Sequence, residues 1–407
     1  MKRLAFALAA ALLALTACAP AADSTLAATA EPAATPEPTA EPVGELHAYL
    51  ENEGYAANTL YQAQVVLDTE TFETAGTNIY KTDFTTGQTT LFRHDDYEGV
   101  SGTSPIVTDD SLYVLNYNNK REPSLLAMPL DGGETRQISF DSYAWTNPLY
   151  SNRYMYFLFD GAPTARTRGL RLDLQTGENE PWDIPAETFA VLGVADGGIV
   201  TSRIISDHPM PLPSDSEMRD AIMQNATYEF DLTDAATGQP IQKIFEYPCG
   251  GAPEGDGSIS YCYAGRSGSD YYFLAEHTRP VSGNTSTEIG TSVLRVGSDG
   301  TQQDLGIMTS QAPIRPLYRG EEIGWFVVAH DDSVTDTIYD LQGSEIGRTA
   351  APAGTEVYHP VRLLDDGQVI LCIGYDPTHD YMPKFATIPA DAFLNGSTEY
   401  TAIEFVG

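Results

Sequence analysis

Along most of the chain, apolar and polar residues alternate with period two. The stretches SLYVLNY (111–117), YMYFLFD (154–160), DYYFLAEH (270–277), IGWFVVAH (323–330) and QVILCIGYD (368–376) are rich in Tyr, Val, Ile and Phe and read as strands. Each is followed by a polar loop and a further strand that ends in a Gly-bearing turn. Seven such turn-ending strands occur, with their glycines at Gly87, Gly132, Gly177, Gly238, Gly300, Gly343 and Gly396, spaced 45, 45, 61, 62, 43 and 53 residues apart. Self-similarity at that period predicts a repeat architecture.

Short proline-led strands precede several pairs: Pro105-Ile106-Val107, Pro148-Leu149-Tyr150, Pro316-Leu317-Tyr318 and Pro360-Val361-Arg362. Each unit therefore reads as a short first strand, a strongly apolar second, a third ending at Gly, and a fourth such as TTLF or RQISF. Four antiparallel strands per unit predict an all-β β-propeller of about seven blades, with six to eight compatible with the pattern. A solenoid needs a shorter repeat, and a single sandwich has no place for so many strands. The first unit is the weakest. ELHAYLENEGY (45–55) has helical spacing, the unit's own first strand is not evident between residues 56 and 70, and the terminal TAIEFV is expected to complete that unit. LLAMPLDGGETRQIS (125–139) is similar to the repeats of TolB-like propellers, and IYKTDFTTGQTTLF is a looser echo. Pro129 stands where that repeat commonly has Asp, and seven units exceed the six blades of TolB itself. The resemblance implies the fold and not the TolB partners.

The front of the chain has a different character. Lys2 and Arg3 precede an uncharged apolar run from Leu4 to Leu15, and the small residues Thr16 and Ala17 precede Cys18. This pattern predicts a secretory signal over residues 1–17, since the run of about a dozen residues is shorter than the roughly 20 that span a bilayer. Leu15-Thr16-Ala17-Cys18 resembles the lipobox of bacterial lipoproteins. That resemblance implies cleavage before Cys18, a diacylglyceryl thioether on its sulfur, and anchoring at the extracytoplasmic face of the cell membrane. Residues 18–43, almost entirely Ala, Pro, Thr and Glu after the cysteine, read as a disordered linker, and residues 44–407 as the propeller domain.

With 22 Lys and Arg against 57 Asp and Glu, the net charge is −35. Such a chain repels phosphate backbones, so a nucleic-acid partner is not expected. An exported domain permits disulfides, and Cys249 and Cys262 flank a glycine-rich loop whose bridging contributes about 3 kcal/mol in the chain-entropy model, which makes them the candidate pair. Cys372, inside VILCIGY, reads as a buried core residue. No spacing typical of a zinc site or a calcium loop occurs, so neither metal nor cofactor is expected.

In a propeller, the loops after each second strand and those leading into each first strand gather on one face around the channel. The first group carries Asp160, His208, His277, His330, Asp331, Asp376 and His379; the second carries Trp145, Arg315, Tyr358 and His359. Acid, imidazole and aromatic groups at a channel mouth suit an unidentified glycan, peptide or protein ligand. The insertion DHPMPLPSDSEMRDAIMQN (207–225) has Ser214 three residues before Glu217, a capping-box spacing that predicts a short helix through Met223 above the same face. HTRPVSGNTSTEIG (277–290) reads as a mobile loop. No nucleophile-elbow motif is present. The leading expectation is non-catalytic binding. A cell-envelope scaffold or sensor is the first alternative, and a carbohydrate-active enzyme pairing Asp331 with Asp376 is the second.

Overall fold

The computed structural model describes residues 44–49, 53–67, 74–96, 104–117, 123–139, 148–159, 168–182, 184–185, 187–249, 258–281, 285–309, 313–330, 335–349, 351–352, 355, 357–379 and 381–406. They belong to one compact unit, Pro42–Gly407. The signal, Cys18 and linker lie outside the described residues. No helix among the described residues is long and apolar enough to cross a membrane.

The domain is all-β and of propeller type. Four-stranded antiparallel meanders follow one another in chain order. The first comprises β2 (Tyr55–Ala56), β3 (Thr59–Leu67), β4 (Thr74–Asp83) and β5 (Gln88–Asp95). The second comprises β6 (Ile106–Val107), β7 (Ser111–Tyr117), β8 (Pro123–Pro129) and β9 (Arg136–Ser139). In the third, β10 (Leu149–Tyr150) to β13 (Asn179–Trp182) enclose β11 (Tyr154–Phe159) and β12 (Arg168–Asp173). The fourth runs β14 (Thr188–Ala195), β15 (Gly198–Ile205), β16 (Thr227–Thr233), β17 (Pro240–Pro248), and the fifth β18 (Ser258–Ser267), β19 (Asp270–Val281), β20 (Thr285–Val296), β21 (Gln302–Thr309). The sixth is β22 (Ile314–Arg319), β23 (Glu322–Ala329), β24 (Asp336–Tyr339), β25 (Glu345–Arg348), and the seventh β26 (His359–Leu363), β27 (Gln368–Asp376), β28 (Met382–Pro389), β29 (Thr401–Ala402).

The predicted turn glycines fall where the pattern placed them, between third and fourth strands, all with φ between 67° and 86°. A side chain disfavours that left-handed region, which glycine enters freely. An aspartate opens most of these turns. Asp83 Oδ1 accepts the amides of Thr85 and Thr86, Asp173 those of Gln175 and Thr176, Asp234 those of Ala236 and Thr237, and Asp340 those of Gln342 and Ser344. The side chain thus satisfies backbone donors that the tight turn leaves over. In the second unit, where Pro129 replaces the aspartate, Asp131 takes the amide of Gly133 instead.

Between consecutive meanders lie separate hydrophobic clusters, because each sheet has two apolar faces and needs a neighbour on both. Ile79 and Leu112 meet between first and second units, Leu125 and Phe157 between second and third, and Tyr156 and Ile199 between third and fourth. Phe245 packs on Phe273 across fourth and fifth, Tyr272 on Phe326 across fifth and sixth, and Val327 with Leu371 across sixth and seventh. The last cluster joins Ile370, Cys372 and Phe385 of the seventh unit to Tyr55, Leu60 and Phe84 of the first.

The termini also cross between units. TAIEFV divides: Thr401–Ala402 forms β29 on the seventh unit, and Glu404–Phe405 forms β30, parallel to β5 of the first. The weak first unit has its own first strand, β2. Within the stretch expected to be helical, His47–Ala48 forms a strand, β1, paired antiparallel with β10 on the first-strand edge of the third unit, whereas Tyr49 is helical and its carbonyl accepts the Glu53 amide. Leu46 and Ala48 are buried there, and pairing with β10 overrides the helical spacing as far as Ala48.

Three local expectations are corrected. The helix α1 (Ser216–Met223) is capped by Asp215, whose carboxylate accepts the Met218 amide, and not by Ser214. The 277–290 stretch is a long hairpin and not a loop, since β19 and β20 pair as far as Val281 and Thr285. Cys249 and Cys262 are free thiols. The Cys249 amide donates to Ala226 O at the end of the fourth unit, whereas Cys262 is held in register with Leu274 in the fifth, so their backbones are committed to different sheets.

Candidate functional site

Of the residues expected at the channel mouth, Trp145, Asp160 and Asp331 lie outside the described residues. The others separate into three groups.

Arg315 and His359 come together. Strands β22 and β26 meet in a parallel bridge at Arg319 and Leu363, and four residues upstream on each strand stand Arg315 and His359. They line one cleft of about 140 Å³, whose remaining walls are Pro316, Leu317, Val327, Pro360 and Val361. Arg315 Nε is sealed from solvent and has no hydrogen-bond partner. An unsatisfied buried donor costs about 1–3 kcal/mol. Burial pulls His359 below its ordinary value of 6.5, and the neighbouring Arg315 guanidinium lowers it further, so the imidazole is neutral at physiological pH. The cleft thus presents one fixed cation and one uncharged imidazole between apolar walls. Tyr358 is not part of it: its ring is 1% exposed in the core, 6.4 Å from Tyr400.

A second pair, Asp376 and His379, has a structural task. Asp376 accepts from the Thr378 hydroxyl at 2.6 Å and the Thr378 amide at 2.9 Å, and it stands 3.3 Å from His379 and 3.8 Å from Lys384. The Thr378 hydroxyl bond above all, then its amide, His379 and Lys384, hold the carboxyl down to about 2. The His379 ring stacks on Phe405 of β30 at 4.4 Å and 7°. This places the pair at the joint between seventh and first units.

The three remaining histidines serve local bonds. His208 Nδ1 donates to Pro209 O, while His277 and His330 bond the hydroxyls of Ser292 and Thr337 on adjacent strands. No group of three His, Cys, Asp or Glu side chains able to hold a metal occurs among the described residues.

Sequence reasoning missed the groups around β1. His47 pairs with Glu321, in the turn between β22 and β23. The Arg362 guanidinium lies 4.4 Å over the Tyr55 ring and donates to Gly320 O. A larger cavity, about 320 Å³, lies beside Asp270 and the 297–303 turn, but its arginine, Arg295, is already paired with Asp270.

No protein-family model matches the sequence, and no curated protein does. Among solved structures, the chain is similar to the β-propeller domain of the Trilobed protease from Pyrococcus furiosus, at 11% identity over 88% of this chain and 98% of that one, with a TM-score of 0.46. It is similar to an oligogalacturonate lyase in complex with manganese, at 12% identity over 84% and 89%, with a TM-score of 0.45. It is also similar to an acylaminoacyl peptidase of Pyrococcus horikoshii, at 11% identity and a TM-score of 0.41, covering 76% of this chain and 46% of that one. The chain therefore spans less than half the length of that peptidase. Peptidases and lyases both occur among these neighbours, so they do not separate binding from catalysis.

Proposed function

We propose that this protein is a lipid-anchored, extracytoplasmic β-propeller of seven blades that binds a ligand or partner without chemistry of its own. The observation that carries binding is the Arg315–His359 cleft, where a buried guanidinium nitrogen awaits an acceptor that the fold does not supply. Closure of the seven units into a ring is supported by the Phe385–Phe84 cluster between last and first units and by the addition of β30 to β5. In such a ring β1 runs inside the channel, and its buried side chains fill part of it, which leaves the wall cleft as the recognition surface. Anchoring is supported by the sequence pattern at residues 15–18 alone. A protein-docking role is a second reading, favoured by α1, which buries none of its residues and leaves Met218 55% exposed.

Two measurements test this. Metabolic labelling with a radioactive fatty acid is expected to mark the wild type and not Cys18→Ser; equal labelling of both rejects the anchor. Glycan and peptide arrays probed with the mature protein are expected to give capture that Arg315→Ala abolishes. Capture insensitive to Arg315 removes the cleft from the account.

A further inference from the structure

Resting on the binding reading above, we propose that the Arg315–His359 cleft holds one carboxylate, carried by a small ligand such as a sugar acid or an amino acid. Most arginines of the described residues have their partners within the fold, and Arg136 and Arg362 take backbone carbonyls. Arg93, Arg153, Arg171, Arg203, Arg266 and Arg295 each meet an Asp or Glu side chain. Arg315 meets none among the described residues, in a chain where acids outnumber bases 57 to 22. With so many carboxylates available, an arginine facing a cavity without one is placed for an acceptor that comes from outside.

The chemistry of the cleft narrows that acceptor. The planar guanidinium matches the two oxygens of a carboxylate, and the neutral imidazole of His359 offers one ring N–H as a second donor. Pro316, Val327, Pro360 and Val361 give the ligand's carbon skeleton apolar walls. The cleft measures about 140 Å³, similar to the roughly 150 Å³ cavity known to admit a benzene-sized molecule. The chain's net charge of −35 disfavours doubly charged phosphates and polyanions, whereas a singly charged carboxylate meets the least repulsion.

Calorimetry and ligand-observed NMR on the mature protein test the assignment with acetate, galacturonate, N-acetylglycine, glucose and methyl phosphate. The expected result is binding of the carboxylates and not of glucose, with affinity lowered at least about tenfold in Arg315→Gln. His359→Gln, which keeps an N–H donor, is expected to weaken binding less. The sugar acid and the acetylated amino acid distinguish the two sources of carboxylate. Circular dichroism and the denaturation midpoint of Arg315→Gln are expected to stay at wild-type values or rise, because the variant removes an unsatisfied donor. Equal binding of glucose and galacturonate, a preference for methyl phosphate, or full affinity in a folded Arg315→Gln overturns the proposal. If no carboxylate binds while array capture persists, the carboxylate assignment falls and the binding reading stands. If the arrays are empty as well, both fall.

Discussion

The seven turn glycines occupy equivalent places in seven units, yet their surroundings differ, so alanine there separates backbone conformation from packing between units. At Gly87, with φ +71°, an added Cβ meets nothing within 4 Å. The cost of Gly87→Ala is then conformational alone, about 1–2 kcal/mol for a side chain in the left-handed region. At Gly343, with φ +84°, the Cβ would lie 2.1 Å from Leu305 O, on β21 of the preceding unit. Real contacts of that kind do not fall below 3.0 Å, so the Leu305 backbone has to retreat by nearly an ångström. Displacing a packed strand adds about 1–3 kcal/mol, giving roughly 2–5 kcal/mol for Gly343→Ala. Guanidinium denaturation of both variants, with slopes compared to detect any loss of cooperativity, measures the difference. Losses equal within about 0.5 kcal/mol would refute the contact between fifth and sixth units on which the estimate stands.

Three further outcomes are expected. His47 has its pKa raised above 6.5, by the Glu321 bond first and against the opposing effect of burial, with Glu45 and Asp109 adding to the rise. Its stabilising contribution is therefore full below 6.5 and is lost as pH rises through the raised value, so the thermal midpoint of the wild type should exceed that of His47→Gln at about pH 5.5 and converge with it at about pH 8.5; an unchanging gap counts against the pair. Asp376 titrates in the opposite sense: its stabilising contribution is present above 3.8 and lost as pH falls through about 2, so Asp376→Asn should remove part of the acid sensitivity seen by circular dichroism. Arg203→Ala leaves the 1%-exposed Asp231 carboxylate, 2.6 Å from the Arg203 Nε, without its partner, and should cost about 3–5 kcal/mol by denaturant titration, whereas a cost below about 1 kcal/mol contradicts the burial of that pair.

Much of the strand order was legible because two signals reinforce each other. Alternation located SLYVLNY and QVILCIGYD as β7 and β27 to the residue, and the positive-φ glycines marked every third-to-fourth turn. The aspartates that open those turns were equally visible, four residues before Gly87, Gly177 and Gly238, but their role depends on amides two and three residues onward, which only the folded turn presents. Long-range pairing was harder to read. The two-residue β1 is too short to carry a pattern of its own, and it is a strand because Leu149 and Tyr150 of a unit about a hundred residues later supply its partner. At the site, Arg315 and His359 were recognisable as residues leading into first strands. That Arg315 Nε lacks an acceptor depends on neighbours distant in sequence, whereas Asp376 is engaged by the nearby Thr378, His379 and Lys384 through the geometry of the folded turn.

Hydrogen exchange with and without a ligand captured on the arrays tests the recognition site most directly. The account predicts slowed exchange at the amides of Ile314, Arg315, Leu317, His359 and Val361, on the two strands that form the cleft, with α1 and the outer strands unchanged. Protection confined to α1 or to outer strands, with β22 and β26 unaffected, would contradict it.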